Sequence, residues 1–131
     1  MNTYLLDTSV IIDVLNDKRA RDTLLLRLLS EGHLLACCAI NVTEVYAGMR
    51  PHEQARTDIL VDSFQYVEIT KTIAKHAGRL KFEWARKGVM LSTPDTTIAA
   101  VALAHKLILI TDNRKHYPMS ELRLFDEASE T

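Results

Sequence analysis

TYLLDTSVIID (residues 3–13) changes its hydrophobic period halfway along. Residues 3–7 read as a short, continuously apolar strand that ends on Asp7, and Val10, Ile11, Val14 and Leu15 then recur at helical spacing. A carboxylate therefore stands where a buried strand hands over to a helix. In open parallel sheets that place faces the crevice outside the strands' carboxyl ends, where ligands bind.

Further along, the same two periods alternate. ARDTLLLRLLSEG (20–32) predicts a helix with Leu24, Leu25, Leu28 and Leu29 on one stripe and Gly32 at its end. LLACCA follows as a buried strand. From Asn41, the spacing of Val42, Val45, Tyr46 and Met49 predicts a helix that stops at Pro51. Residues 52–64 read as a helix, YVEI as a strand and residues 72–87 as a helix ending before Gly88. STPDTTIAAVALAHKL is the clearest helix, with Thr93 as N-cap and Pro94 at its first position, followed by the strand LILIT and a weaker final strand in LRLFD. Apolar strands alternating with helices predict an α/β fold with a mostly parallel central sheet flanked by helices on both faces. Two pairs of successive helices lack an intervening strand, so a strictly alternating Rossmann order is not expected.

A length of 131 residues predicts one domain spanning 1–131. The formal charge of -1 offers no overall basic field, so any polyanion must be met by a local patch. Cys37 and Cys38 are adjacent and read as small buried hydrophobes of a strand. No window approaches the roughly 20 apolar residues of a membrane span, and the amino end shows no basic-then-apolar leader, so a cytoplasmic protein is expected.

Several acids fall at the predicted crevice. Asp7 ends the first strand, Asp112 and Asn113 follow LILIT, and Asp95 lies in the first turn of its helix, where capping alone would also explain it. Glu44 borders a packed helical face, a position that a solvated flank residue would fill equally well. Carboxylates crowded together repel, whereas a hard divalent cation with oxygen ligands turns that repulsion into binding. The five scattered histidines form no HExxH and do not point to zinc. A receiver-type signalling domain shares the size and the acidic pocket but needs an acceptor Asp after a middle strand, which ACCAIN does not offer.

LLDTSVIID, NVTEVYAG, PDTTIAAVALAH and LILITDNRKHY, in this order, resemble the successive signature segments of the PIN domain, and the compact chain is similar to VapC-type toxins of toxin-antitoxin pairs. The resemblance implies an Mg²⁺- or Mn²⁺-dependent endoribonuclease, usually a homodimer, restrained by a cognate antitoxin protein. It places the metal ligands on Asp7, Asp95 and Glu44, the last directly or through water, and the fourth acidic position on Asn113 or Asp112. Of these, Asn113 is expected to face the metal water and Asp112 to cap the turn into Arg114. Ser9 and Thr111 match hydroxyl positions that hold the carboxylates, although turn and cap chemistry also accounts for them. Arg114, Lys115 and His116 are candidates for RNA phosphate contact. A basic group at Arg79, Lys81, Arg86 and Lys87 reads better as a solvated helix face. The alternative to a nuclease is a non-catalytic RNA-binding or protein-interaction module on the same fold.

Overall fold

The computed structural model describes residues 1–126. Its centre is a five-stranded sheet of order β3-β2-β1-β4-β5, and every pairing is parallel. The strands are β1 (Thr3–Leu6), β2 (Leu34–Cys38), β3 (Gln65–Val67), β4 (Ile108–Ile110) and β5 (Arg123–Leu124). β1 lies between β2 and β4, with Leu5 opposite both Ala36 and Leu109. Asp7 N–H extends this edge by donating to Ile110 O at 2.9 Å, so the end of β1 and the turn after β4 are fixed side by side.

Among the described residues six α-helices cover the sheet: α1 (Thr8–Leu15), α2 (Arg21–Ser30), α3 (Ala39–Ala47), α4 (Gln54–Asp62), α5 (Lys71–Arg86) and α6 (Thr93–His105). Alternation along the strands divides the core in two. Leu5, Ala36, Cys38 and Leu109 pack with α5 and α6, through Ile73, Ala77, Leu80, Ile98 and Val101. Tyr4, Leu6, Leu35, Cys37, Ile108 and Ile110 face the other way, against residues of α1 to α4 that include Val10, Leu28, Val45 and Val61. Because both faces are buried, β1, β2 and β4 need apolar residues along their length, which is why they read as continuous runs, whereas β3 and β5 at the sheet edges carry the exposed Gln65, Tyr66 and Arg123. No helix of the described residues is long and apolar enough to cross a membrane.

Local departures from the expected boundaries have identifiable causes. α3 begins at Ala39, two residues before the expected start, because Asn41 Oδ1 accepts from Cys38 N–H at 2.9 Å and closes the first turn. The N-cap of α6 is Ser92 rather than Thr93: Ser92 Oγ accepts from Asp95 N–H at 3.2 Å, and Pro94 follows one place inside the first turn. On α2, Leu24, Leu25 and Leu28 are buried, but Leu29 is 48% exposed. At 100° per residue it falls on the rim of the stripe. Residues 51–53 form a 3₁₀ turn leading into α4, and the final strand is reduced to Arg123–Leu124. Gly32, at φ +88, ends α2 in the left-handed conformation that glycine adopts without a Cβ clash.

Candidate active site

Asp7 is both the last residue before α1 and its N-cap. Its Oδ1 accepts from Thr8 N–H at 2.9 Å, its Oδ2 accepts from the Thr111 hydroxyl at 2.7 Å, and the Tyr117 hydroxyl lies 3.2 Å from Oδ1. A carboxylate has about four lone-pair directions, so three partners leave roughly one open. The side chain is 6% exposed and its orientation is determined from three sides.

Asp95, in the first turn of α6, faces Asp7 across the same phenol: Tyr117 Oη is 3.1 Å from Asp95 Oδ1. The outer oxygen of Asp95 lies 3.2 Å from His116 Nδ1. Tyr117 is 2% exposed, and burial, followed by the charges of Asp7 and Asp95, pushes its phenol far above the usual range. It therefore remains a neutral hydroxyl between two acids. Tyr117 marked only the end of the recognisable segment LILITDNRKHY. Its one sequence signal is a tyrosine at a position where the apolar core would accept phenylalanine.

Glu44 projects from α3 and is linked to the site through Thr8, whose hydroxyl donates to Glu44 Oε1 at 2.7 Å. Thr8 Oγ1 in turn accepts from Asn41 Nδ2 at 3.2 Å, and the same amide donates to Leu6 O at 3.0 Å. Asn41 is fully buried and ties the end of β1 to the start of α3, a role that its place within a helical run did not disclose. The hydroxyl expected at Ser9 is differently placed. Ser9 Oγ is buried without a hydrogen-bond partner among the described residues, and its neighbour Thr8 makes the contact to Glu44.

The turn after β4 also differs from expectation. The Thr111 hydroxyl, which donates to Asp7, accepts from Asn113 N–H at 2.9 Å and so caps the turn itself. Asp112 does not cap it. Its carboxylate pairs with Arg19 Nη1 at 2.8 Å and with Arg21 Nη2, and Asp13 stands 3.7 Å from Arg21 Nε. The chain bends at Asp112, and Arg19 of the α1–α2 connection and Arg21 at the start of α2 supply the cations that take its carboxylate. Asn113 is exposed at the head of the 3₁₀ turn Arg114–His116. Of the expected phosphate contacts, Arg114 donates to Phe125 O at 3.2 Å, His116 lies against Asp95, and Lys115 is exposed. On α5, Lys81 donates to Leu91 O, while Arg86 and Lys87 lie over Phe82 and Trp84.

The Tyr117 hydroxyl thus lies between Asp7 and Asp95, whereas Glu44 is turned toward Thr8 and Asp112 toward Arg19 and Arg21. Among the described residues, no three side chains of His, Cys, Asp or Glu are drawn into a group that could hold a metal ion. The donors at the edge are carboxylate, hydroxyl and amide oxygens, a set suited to a hard divalent cation and not to a thiophilic one.

Residues 4–122 match the PIN domain model. Ribonuclease VapC19 of Mycobacterium tuberculosis is 30% identical over 115 residues, spanning 88% of this chain and 92% of the relative. Ribonuclease VapC2 of Haemophilus influenzae is 30% identical over 122 residues, spanning 89% and 91%. Among solved structures, a toxin-antitoxin complex from Klebsiella pneumoniae aligns with a TM-score of 0.74 at 28% identity, over 91% of this chain and 94% of that one. VapBC2 from Rickettsia felis, bound to a DNA fragment from its promoter, shares the fold with a TM-score of 0.82 at 23% identity, covering 94% and 97%. The chain belongs to the PIN-domain family and is homologous to its VapC-type toxins.

Proposed function

We propose that the chain is a divalent-cation-dependent endoribonuclease, the toxin of a toxin-antitoxin pair, which hydrolyses RNA phosphodiester bonds. The observation that carries this reading is the placement of Asp7 and Asp95 on one buried hydroxyl at the carboxyl edge of a PIN-family sheet. The relatives named as VapC ribonucleases support the reaction class.

In this reading Asp7 and Asp95 would hold the cation, with Glu44, presented by Thr8, as the third acid that would support it directly or through water. Bound Mg²⁺ or Mn²⁺ supplies a Lewis acid for the phosphoryl oxygen and lowers the pKa of the attacking water. Thr111 keeps Asp7 in one orientation through its hydroxyl. Asn113 offers a neutral carbonyl for a water at the fourth position. Lys115 and His116, with Arg114 behind them, hold the RNA backbone beside an otherwise acidic edge. The products carry a 5′-phosphate and a 3′-hydroxyl, and no side chain serves as a covalent nucleophile.

The partner part of the reading is a homodimer restrained by a cognate antitoxin protein. It is supported by an apolar groove of about 370 Å³ between α1, α2 and α4, where Val14, Leu25, Leu26, Leu29, Leu60 and Phe64 form much of the wall. Light scattering at micromolar concentration checks the dimer: a monomer mass rejects it and leaves the nuclease reading standing.

A second reading, a non-catalytic RNA-binding or protein-interaction module, is favoured by the lack of a three-carboxylate cluster among the described residues. Incubation of the purified, antitoxin-free chain with total RNA, with Mg²⁺ or Mn²⁺ and with chelator, decides between them. New 5′-phosphate ends that require the cation support the nuclease. Bound but uncut RNA supports the module.

A further inference from the structure

We infer that Tyr117 is a positioning residue for the candidate cation site, its hydroxyl holding the Asp95 carboxylate against Asp7 before any cation arrives. This role rests on the nuclease reading.

The argument begins with unequal restraint on the two acids. Asp7 is held by Thr8 N–H and by the Thr111 hydroxyl independently of Tyr117. Asp95 has no such support: the cap at Ser92 engages its backbone N–H, and its other side-chain neighbour is the exposed His116. Tyr117 is the buried group that reaches both carboxylates, at 3.2 and 3.1 Å. Its ring belongs to the core beneath α5 and α6, packed with Met119 and Leu122 in the same cluster, so the hydroxyl stands on a rigid support. Phenylalanine would satisfy that packing equally well. The oxygen is therefore what requires an explanation.

A hydroxyl has one proton and two lone pairs, so it can donate to either carboxylate and lower the repulsion between them. Without it, the two acids face each other with no donor in between, and Asp95 gains rotamers that point toward solvent. A cation would then have to recruit Asp95 from those rotamers, and its binding would weaken. Groups that orient ligands in this way typically alter metal affinity by about 10- to 100-fold when removed.

The test is a Mn²⁺ titration of wild-type protein and Tyr117→Phe, followed by the EPR signal of free Mn²⁺, together with NMR of ¹³Cγ-labelled aspartate in the metal-free proteins. The expected result is an affinity about 10- to 100-fold weaker in the variant, with near-ultraviolet circular dichroism unchanged and the Asp7 and Asp95 carbons displaced. Replacement of Tyr117 by p-aminophenylalanine, which restores a donor on the same ring, should recover much of the affinity. Equal or tighter binding by Tyr117→Phe overturns the positioning role alone. Wild-type protein that binds no Mn²⁺ overturns both this role and the nuclease reading. A measurement that needs no variant is the ¹³Cζ spectrum of the four tyrosines: substoichiometric Mn²⁺ should broaden Tyr117 first, and a Tyr117 signal that stays sharp contradicts the inference.

Discussion

The Thr8 hydroxyl donates to Glu44 Oε1 at 2.7 Å, so the first residue of α1 sets the position of an acid on α3. Thr8→Val keeps the shape and removes the donor. The expected outcome is a loss of about 1–3 kcal/mol of stability, because the buried Asn41 amide loses an acceptor as well, with the chain still folded and RNA cleavage reduced about tenfold or more as Glu44 becomes free to turn away. Cleavage rates and a urea melt on the same preparation check it. Unchanged cleavage would show that Glu44 is held by something other than Thr8.

Asn41 lies behind that pair and satisfies Cys38 N–H and Leu6 O in the interior. Asn41→Leu leaves both backbone groups without a partner in a region closed to water. A loss of about 2–3 kcal/mol in unfolding free energy is expected. A loss below 0.5 kcal/mol in denaturant unfolding would mean that water or another side chain takes over.

How much of this was legible in the sequence follows from the range of the interactions. The order of strands and helices was readable because parallel strands buried on both faces must be apolar throughout, and because glycines such as Gly32 mark where helices stop. Asp7, Asp95 and Thr111 were readable as strand-end and helix-start residues. The hydrogen bonds that link them are contacts between distant segments, and no local pattern encodes them. Tyr117 stood only at the end of a recognisable segment and Asn41 at the start of a helical run, and Thr8 was passed over for its neighbour Ser9. Asp112 was read as a turn cap because Arg19 and Arg21, which claim it, are brought there by the fold.

The pairing of Asp112 with Arg19 and Arg21 distinguishes the two residues at the fourth position. Asp112→Asn should cost about 1–2 kcal/mol of stability, since it leaves the mostly buried Arg21 with Asp13 as its remaining acid. Its cation-dependent cleavage should persist. Asn113→Ala should leave stability unchanged and slow cleavage. If instead Asp112→Asn is nearly inactive while Asn113→Ala cleaves normally, Asp112 is the fourth acid.

Burial raises the Cys37 thiol from 9.0 to about 11 and raises Cys38 as well. A folded-state value above the unfolded one means that the fold holds the protonated thiol. The associated stability is fully present below pH 9 and declines as pH rises through about 11. Unfolding free energy should therefore fall across this window by about 2–3 kcal/mol for Cys37, and Cys37→Ala should flatten that part of the profile. Both thiols should also resist iodoacetamide at pH 8 in the folded protein. Rapid alkylation of the native chain would contradict their burial.

The most direct test of the central claim, that a cation held by Asp7 cuts RNA, is cleavage by wild type and by Asp7→Asn, purified identically and both shown to be folded, in Mn²⁺ and in excess chelator. The amide removes ligand charge with little change in volume, and folding is checked for both proteins because relief of carboxylate repulsion is set against the loss of one acceptor oxygen for Thr8, Thr111 or Tyr117. The account predicts cleavage by wild type in Mn²⁺, none in chelator, and a loss of at least about a hundredfold in Asp7→Asn. Cleavage by Asp7→Asn within a few fold of wild type, or cleavage that survives chelation, would contradict it.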